Sequence, residues 1–356
     1  MDNNRFPKVL HWAEENIGRS FTIDQKKLEE QYNHDRNQQS MTIKVLSILG
    51  GFLATLAFVV FLYLARLDRS EAAMYILSLT FFFTSIWINK KFDKVILDSI
   101  SVCLYLLGFG LFSMGFYASG GNAFQTHSIF ILFGIITLFL SKSYILSFLS
   151  VLIIFGSSIA VLFDLEIFDL IHAIYICIVL LFIYYTFKEG RLMKSSMLAG
   201  KQYMSIRTGL VFSYMICLYF ISSPRISEGN WHFNWISSGF NIAIVIWLIH
   251  CLLKRFKCDE LGKRIFIFLI VTVCLGFTAM SPAISGSLLL LLISFKVNYK
   301  TGFALGILGF IYFIGQYYYD LDLSLLYKSI SMMASGLFFI ILYLMIFKKS
   351  TQHEKA

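Results

Sequence analysis

Residues 144–163 read YILSFLSVLIIFGSSIAVLF: twenty consecutive positions with no charge, bounded by Lys142 before and Asp164 after. The run is apolar throughout, without the polar alternation of a half-buried strand. At about 1.5 Å per residue it is long enough to cross about 30 Å of hydrocarbon as an α-helix. Working outward, further runs of this kind fall near 44–65, 72–89, 99–118, 126–141, 168–187, 207–223, 235–253, 264–280, 282–296, 300–319 and 325–347. With 144–163 they make twelve candidate spans. In hydrocarbon every backbone amide must be satisfied internally, which leaves helices or a closed barrel, and continuous apolar runs select helices. The expectation is an all-α, polytopic integral membrane bundle.

The composition agrees: 58% of the 356 residues are hydrophobic, 17% aromatic and 14% charged, too much apolar surface for a water-soluble particle. The net charge of +9 raises the question of an acidic partner, but its placement has a simpler cause. Cytoplasmic connections are enriched in Lys and Arg. With the N-terminus inside, nineteen Lys and Arg residues fall on inner connections and the C-terminal tail, among them Lys90, Lys91, Lys142, Lys188, Arg207, Lys254, Lys296, Lys300 and Lys348; the outer side receives four, Arg66, Arg69, Arg225 and Lys328. This alternation predicts that both termini are cytoplasmic. The lipid bilayer is the implied partner, with other envelope proteins as further candidates and no role for nucleic acid.

Three segments follow: 1–42, a short cytoplasmic stretch with two candidate helices; 43–347, the membrane domain; and 348–356, a cytoplasmic tail. The first carries a plausible capping box at Thr22 and Gln25. It reads as a cap on the bundle or a docking segment for a partner. Its polar character is the wrong layout for a cleaved signal peptide, so the first span is expected to persist. The longest connection between spans is 188–206, dividing the runs six and six, as in transporters built from two halves, though no residue-level repeat is visible. Cys103, Cys177, Cys217, Cys251, Cys258 and Cys274 form no CxxC pair and accompany no His cluster. Neither a disulfide framework, a metal site nor a cofactor is implied.

The most distinctive stretch is residues 317–329, YYYDLDLSLLYKS, followed by an apolar run containing Ala334, Ser335 and Gly336. Tyrosines at a span end suit the headgroup level. Asp322 or Ser324 suits a helix cap, and Lys328 can extend toward Asp320 and Asp322. Anchoring explains these residues; the functional alternative is an outer-face cluster of Tyr319, Asp320, Asp322 and Lys328 that binds a cation, a proton or a polar headgroup. The same tyrosine-rich span end, D-L-D-L-S-L-L turn, Lys-Ser entry and A-S-G-L sequence resemble the C-terminal signature of a bacterial multi-pass membrane family, domain of unknown function 4401. The resemblance is specific over 301–344. It implies a bacterial inner-membrane location and no established activity.

Ionisable groups deep in a membrane are costly and so are functional suspects. His172, beside Asp169 and Glu166 near an outer span end, and His250, near an inner one, are the weaker candidates. An imidazole is a candidate proton carrier by residue type, and each also suits a plain interfacial position. No predicted span places an acid or base near its middle, which counts against ion-coupled transport. The short ninth and tenth spans meet at Ser281 and Pro282, a junction that fits either a tight turn or the interrupted helices of a transporter. Three functions follow in order: a non-enzymatic component or scaffold of an envelope complex, a secondary transporter or flippase, and an intramembrane enzyme.

Overall fold

The computed structural model describes residues 41–66, 70–92, 95–141, 143–190, 197–222, 234–255, 261–278 and 281–320, with scattered positions between 326 and 340. Residues 1–40 and most of the predicted span 325–347 lie outside the described residues. Eleven α-helices and one 3₁₀ turn make up the regular structure among the described residues: α1 (Met41–Leu64), α2 (Glu71–Lys91), α3 (Val95–Ala118), α4 (Ala123–Leu140), α5 (Tyr144–Asp164), the turn Phe168–Leu170, α6 (Ile171–Phe187), α7 (Met197–Ser222), α8 (Asn234–Arg255), α9 (Leu261–Phe277), α10 (Pro282–Val297) and α11 (Lys300–Asp320). Seven stretches, in α2 to α7 and α11, are long and apolar enough to cross a membrane, and α1, α8 and α10 contain shorter apolar stretches. The fold is helical and membrane-embedded. Each of the first eleven predicted spans coincides with one helix, with ends shifted by a few residues except at α7. That helix starts at Met197, ten residues before the predicted 207, so the connection after α6 is shorter than the sequence suggests.

Local chemistry ends these helices. Ser70 and Ser143 accept from Ala73 N–H and Ile145 N–H at the starts of α2 and α5, satisfying amides that have no partner inside the helix. Left-handed residues close three of the turns: Gly120 (φ 78°), Glu166 (φ 57°) and Asn298 (φ 59°). In each, the next residue's amide reaches back five positions, Gly121 to Phe116, Ile167 to Leu162 and Tyr299 to Ser294. This is the paired 6→1 and 5→2 closure that returns the chain sharply on itself. It is what lets α10 and α11 pack side by side after a two-residue turn.

Close packing organises two clusters. In the first, Phe82 of α2, Tyr105 and Phe109 of α3, and Phe130 and Phe133 of α4 interlock, with Phe82 stacked on Phe133 at 4.7 Å and Phe109 edge-on to Phe130 at 4.8 Å. Gly108 lets α3 lie against α2, where the Ser78 hydroxyl donates to its carbonyl at 2.8 Å. The second and larger core draws on α5 to α11, centred on Tyr175, Tyr214, Leu218, Val245, Leu248, Leu289 and Leu290, all nearly fully buried. Outward faces stay apolar, with Phe52, Val60, Phe83, Leu132, Leu180, Leu308 and Ile311 exposed. That is the surface acyl chains would cover.

Side-chain hydrogen bonds sort the helix ends into two sets. At one end, Asn89 of α2 donates to Asp98 of α3 at 2.7 Å and accepts from Ser141 and Ser143, while Gln202 of α7 donates to the carbonyls of Leu138 and Ser141. At the other, Tyr75 pairs with Ser119, His127 with Asp164, and Ser222 with Gln316. The first set carries Lys90, Lys91, Lys188, Lys296 and Lys300, and the second carries Glu71, Asp164, Glu166, Asp169 and Asp320. One set of helix ends is thus lysine-rich and the other acidic.

Candidate functional site

The sequence-derived candidates separate into different surroundings. Asp320 is the exposed last residue of α11, and Tyr319 beside it is 80% exposed with its ring edge-on to Tyr318. Asp322 and Lys328 lie outside the described residues, so the geometry of the four-residue cluster is not defined. Glu166 is the exposed, left-handed residue in the turn that closes α5. Asp169 is exposed in the 3₁₀ turn. His172 is buried, its Nδ1 2.7 Å from the Ser237 hydroxyl, joining α6 to α8 at the acidic end. His250 is exposed on α8 with Phe268 beside its ring at 6.3 Å. Among the described residues no three His, Cys, Asp or Glu side chains are grouped for metal binding.

Two polar assemblies that the sequence did not single out are better built. The first is central. Tyr175 of α6 lies 3.0 Å from the Tyr214 hydroxyl of α7 and 2.8 Å from Asn241 Oδ1 of α8; Tyr214 donates to the Gly286 carbonyl of α10 at 2.6 Å. Asn241 Nδ2 donates to the Pro282 carbonyl at 3.2 Å and to Ser285 Oγ at 3.1 Å. Four helices are pinned at one buried point. The amide orientation follows from its partners, because Nδ2 must face the Pro282 carbonyl and Oδ1 the tyrosine. Gly286 permits the approach: a Cβ there would stand 2.7 Å from Tyr175 Oη and 2.8 Å from Leu218 Cδ2. The break between α9 and α10 is thereby tied into the core by its first-turn carbonyls.

The second assembly is at the lysine-rich end. Arg207 of α7 is 4% exposed, with Tyr299 and Tyr203 rings 4.0 and 5.0 Å from its guanidinium carbon. Its Nη1 donates to Tyr203 Oη at 2.9 Å and lies 3.4 Å from Glu189 Oε2; Nη2 contacts Met204 Sδ at 3.2 Å. Tyr144 and Tyr299 both bond to Thr208 Oγ1, at 3.0 and 3.1 Å, which fixes the Tyr299 ring. The sequence reading counted Arg207 as a loop charge at the boundary of a span beginning at 207. The structure corrects this: α7 has run almost three turns before reaching it, and the side chain points into the bundle. The signal available was Tyr203, one turn earlier on the same face.

This arrangement of α1 to α11 lies within the region that a family model of domain of unknown function 4401 matches, residues 40–349. The chain belongs to that family. Both assemblies and all eleven helices lie inside the matched region, so they are features of the domain of unknown function 4401 portion of the chain. Neither the curated proteins nor the solved structures contain a match.

Proposed function

We propose that this domain of unknown function 4401 protein is a non-enzymatic component or scaffold of a bacterial envelope complex. In this reading it spans the inner membrane twelve times, with both termini and the lysine-rich end in the cytoplasm and 1–42 as a cytoplasmic segment. The observation that carries it is the central assembly. Tyr175, Tyr214, Asn241 and Ser285 spend their hydrogen bonds on one another and on the Pro282 and Gly286 carbonyls. Gly286 is too crowded for a Cβ. A polar centre used this way stabilises a solid bundle rather than presenting groups to a substrate. What remains to interact is the apolar outer surface and the charged ends.

Gentle crosslinking in cells, purification in mild detergent and mass spectrometry test the reading. The expected result is a stoichiometric envelope protein that is lost when residues 1–40 are removed. A chain recovered alone, with a reproducible small molecule or lipid-linked cargo, contradicts it and favours a secondary transporter or flippase. One observation speaks for that second reading: α9 and α10 are short, and their junction at Pro282 abuts the central four-helix polar assembly, as at the interrupted helices of transporter sites.

A further inference from the structure

We propose that Arg207 is the seat of a phosphate-bearing anion, held at the lysine-rich end of the bundle by the forked Nε/Nη2 edge of its guanidinium. A guanidinium offers five N–H donors, and its Nε/Nη2 edge matches two oxygens of one carboxylate or phosphate. In this chain the two oxygen contacts are both on Nη1: Tyr203 Oη at 2.9 Å and Glu189 Oε2 at 3.4 Å. The Glu189 contact is long for a charge-assisted bond, which runs about 2.7–2.9 Å. Among the described residues the fork faces no oxygen. Nε is buried without a hydrogen-bond partner, and Nη2 meets only the Met204 thioether, a weak acceptor.

A buried ionised donor lacking an acceptor is costly to keep, and nothing in the packing of a scaffold requires it. The surroundings are suited to an anion. The guanidinium rests over the Tyr203 and Tyr299 rings, neither of which supplies an acceptor to the fork. Lys296, one turn before Tyr299, rests on Phe187 and Trp247 at 4.6 and 5.3 Å, and Lys300 follows Tyr299 directly. The cover is movable: Met204 is 44% exposed, and its unbranched side chain can swing off the fork. The site is independent of the scaffold reading and would stand with a transporter as well. Phosphate of this kind comes from a phospholipid headgroup or from a soluble phosphate.

The test is equilibrium binding to the full chain in detergent, with three probes: dioctanoyl phosphatidylglycerol, inorganic phosphate and phosphate-free dioctanoylglycerol. Phosphatidylglycerol is expected to bind and dioctanoylglycerol not to. Arg207→Lys, which keeps the charge and removes the fork, should weaken binding about tenfold or more, while Lys91→Gln on another helix at the same end should not. Inorganic phosphate that binds equally well, and is equally sensitive to Arg207→Lys, assigns the same site to a soluble anion. Met204→Ala clears the fork without touching the arginine and should tighten binding, a readout that survives if Arg207→Lys fails to fold. Equal binding by the native chain and Arg207→Lys, no preference over dioctanoylglycerol, or weaker binding on Met204→Ala would each overturn the proposal.

Discussion

Gly306→Val is expected to be the most damaging single substitution in the α10/α11 pair, lowering stability by about 3 kcal/mol, the upper part of the overpacking range. A Cβ at 306 would lie 2.9 Å from both the Cα and the backbone nitrogen of Leu291. Those atoms belong to the middle of α10 and cannot rotate away as a side chain would, so relief requires the helices to separate. In a membrane, close backbone approach through small residues supplies much of the attraction between helices, because the lipid is as apolar as the side chains it replaces. Gly315→Val on the same helix, where no atom of the described residues lies within 4 Å of the added Cβ, is the matched control and should cost well under about 1 kcal/mol. Thermal loss of the monodisperse gel-filtration peak in mild detergent reads both. Equal midpoints for the two variants would show that α10 and α11 are not packed at Gly306.

Asn241→Leu is expected to cost about 2–3 kcal/mol, although the replacement is apolar, similar in size and placed in a membrane helix. The side chain holds Tyr175, the Pro282 carbonyl and Ser285 at once, and its loss leaves buried groups without partners at about 1–3 kcal/mol each. Measured interhelical hydrogen bonds in membranes are often weaker, about 0.6 kcal/mol on average, so the number of shared partners decides the outcome. Tyr214→Phe removes the bond to Gly286 while keeping the ring, and should cost about 1 kcal/mol. Ser285→Ala should cost less, since its hydroxyl donates to Pro282 in its own helix. The expected order of destabilisation by the same thermal assay is Asn241→Leu, Tyr214→Phe, Ser285→Ala. A reversed order would mean the four helices do not meet at this point.

The helices were legible because their cause is simple: a long apolar run has few alternatives, and eleven of the predicted runs became α1 to α11, seven of them with stretches long and apolar enough to cross a membrane. The start of α7 was not, for a reason the structure supplies. Lys201, Gln202 and Arg207 lower the local hydropathy, yet Gln202 donates to the Leu138 and Ser141 carbonyls and Arg207 Nη1 donates to Tyr203 and faces Glu189. Tertiary partners make helical what the profile reads as loop. Tyr175 and Tyr214 were invisible among 19 tyrosines, because their meaning lies in sharing a neighbour, Asn241, from a third helix.

The most direct test of the account is the side of the membrane on which each helix end lies. In a chain whose six native cysteines are replaced, single cysteines go in at Lys91, Lys188 and Lys300 of the lysine-rich end and at Asp169 and Asp320 of the acidic end. A membrane-impermeant maleimide is then applied to intact spheroplasts. The account predicts labelling at positions 169 and 320 only, and labelling at all five after lysis. Labelling at 91, 188 or 300 in intact spheroplasts, or protection at 169 or 320, would contradict an alternating bundle with its lysine-rich end in the cytoplasm.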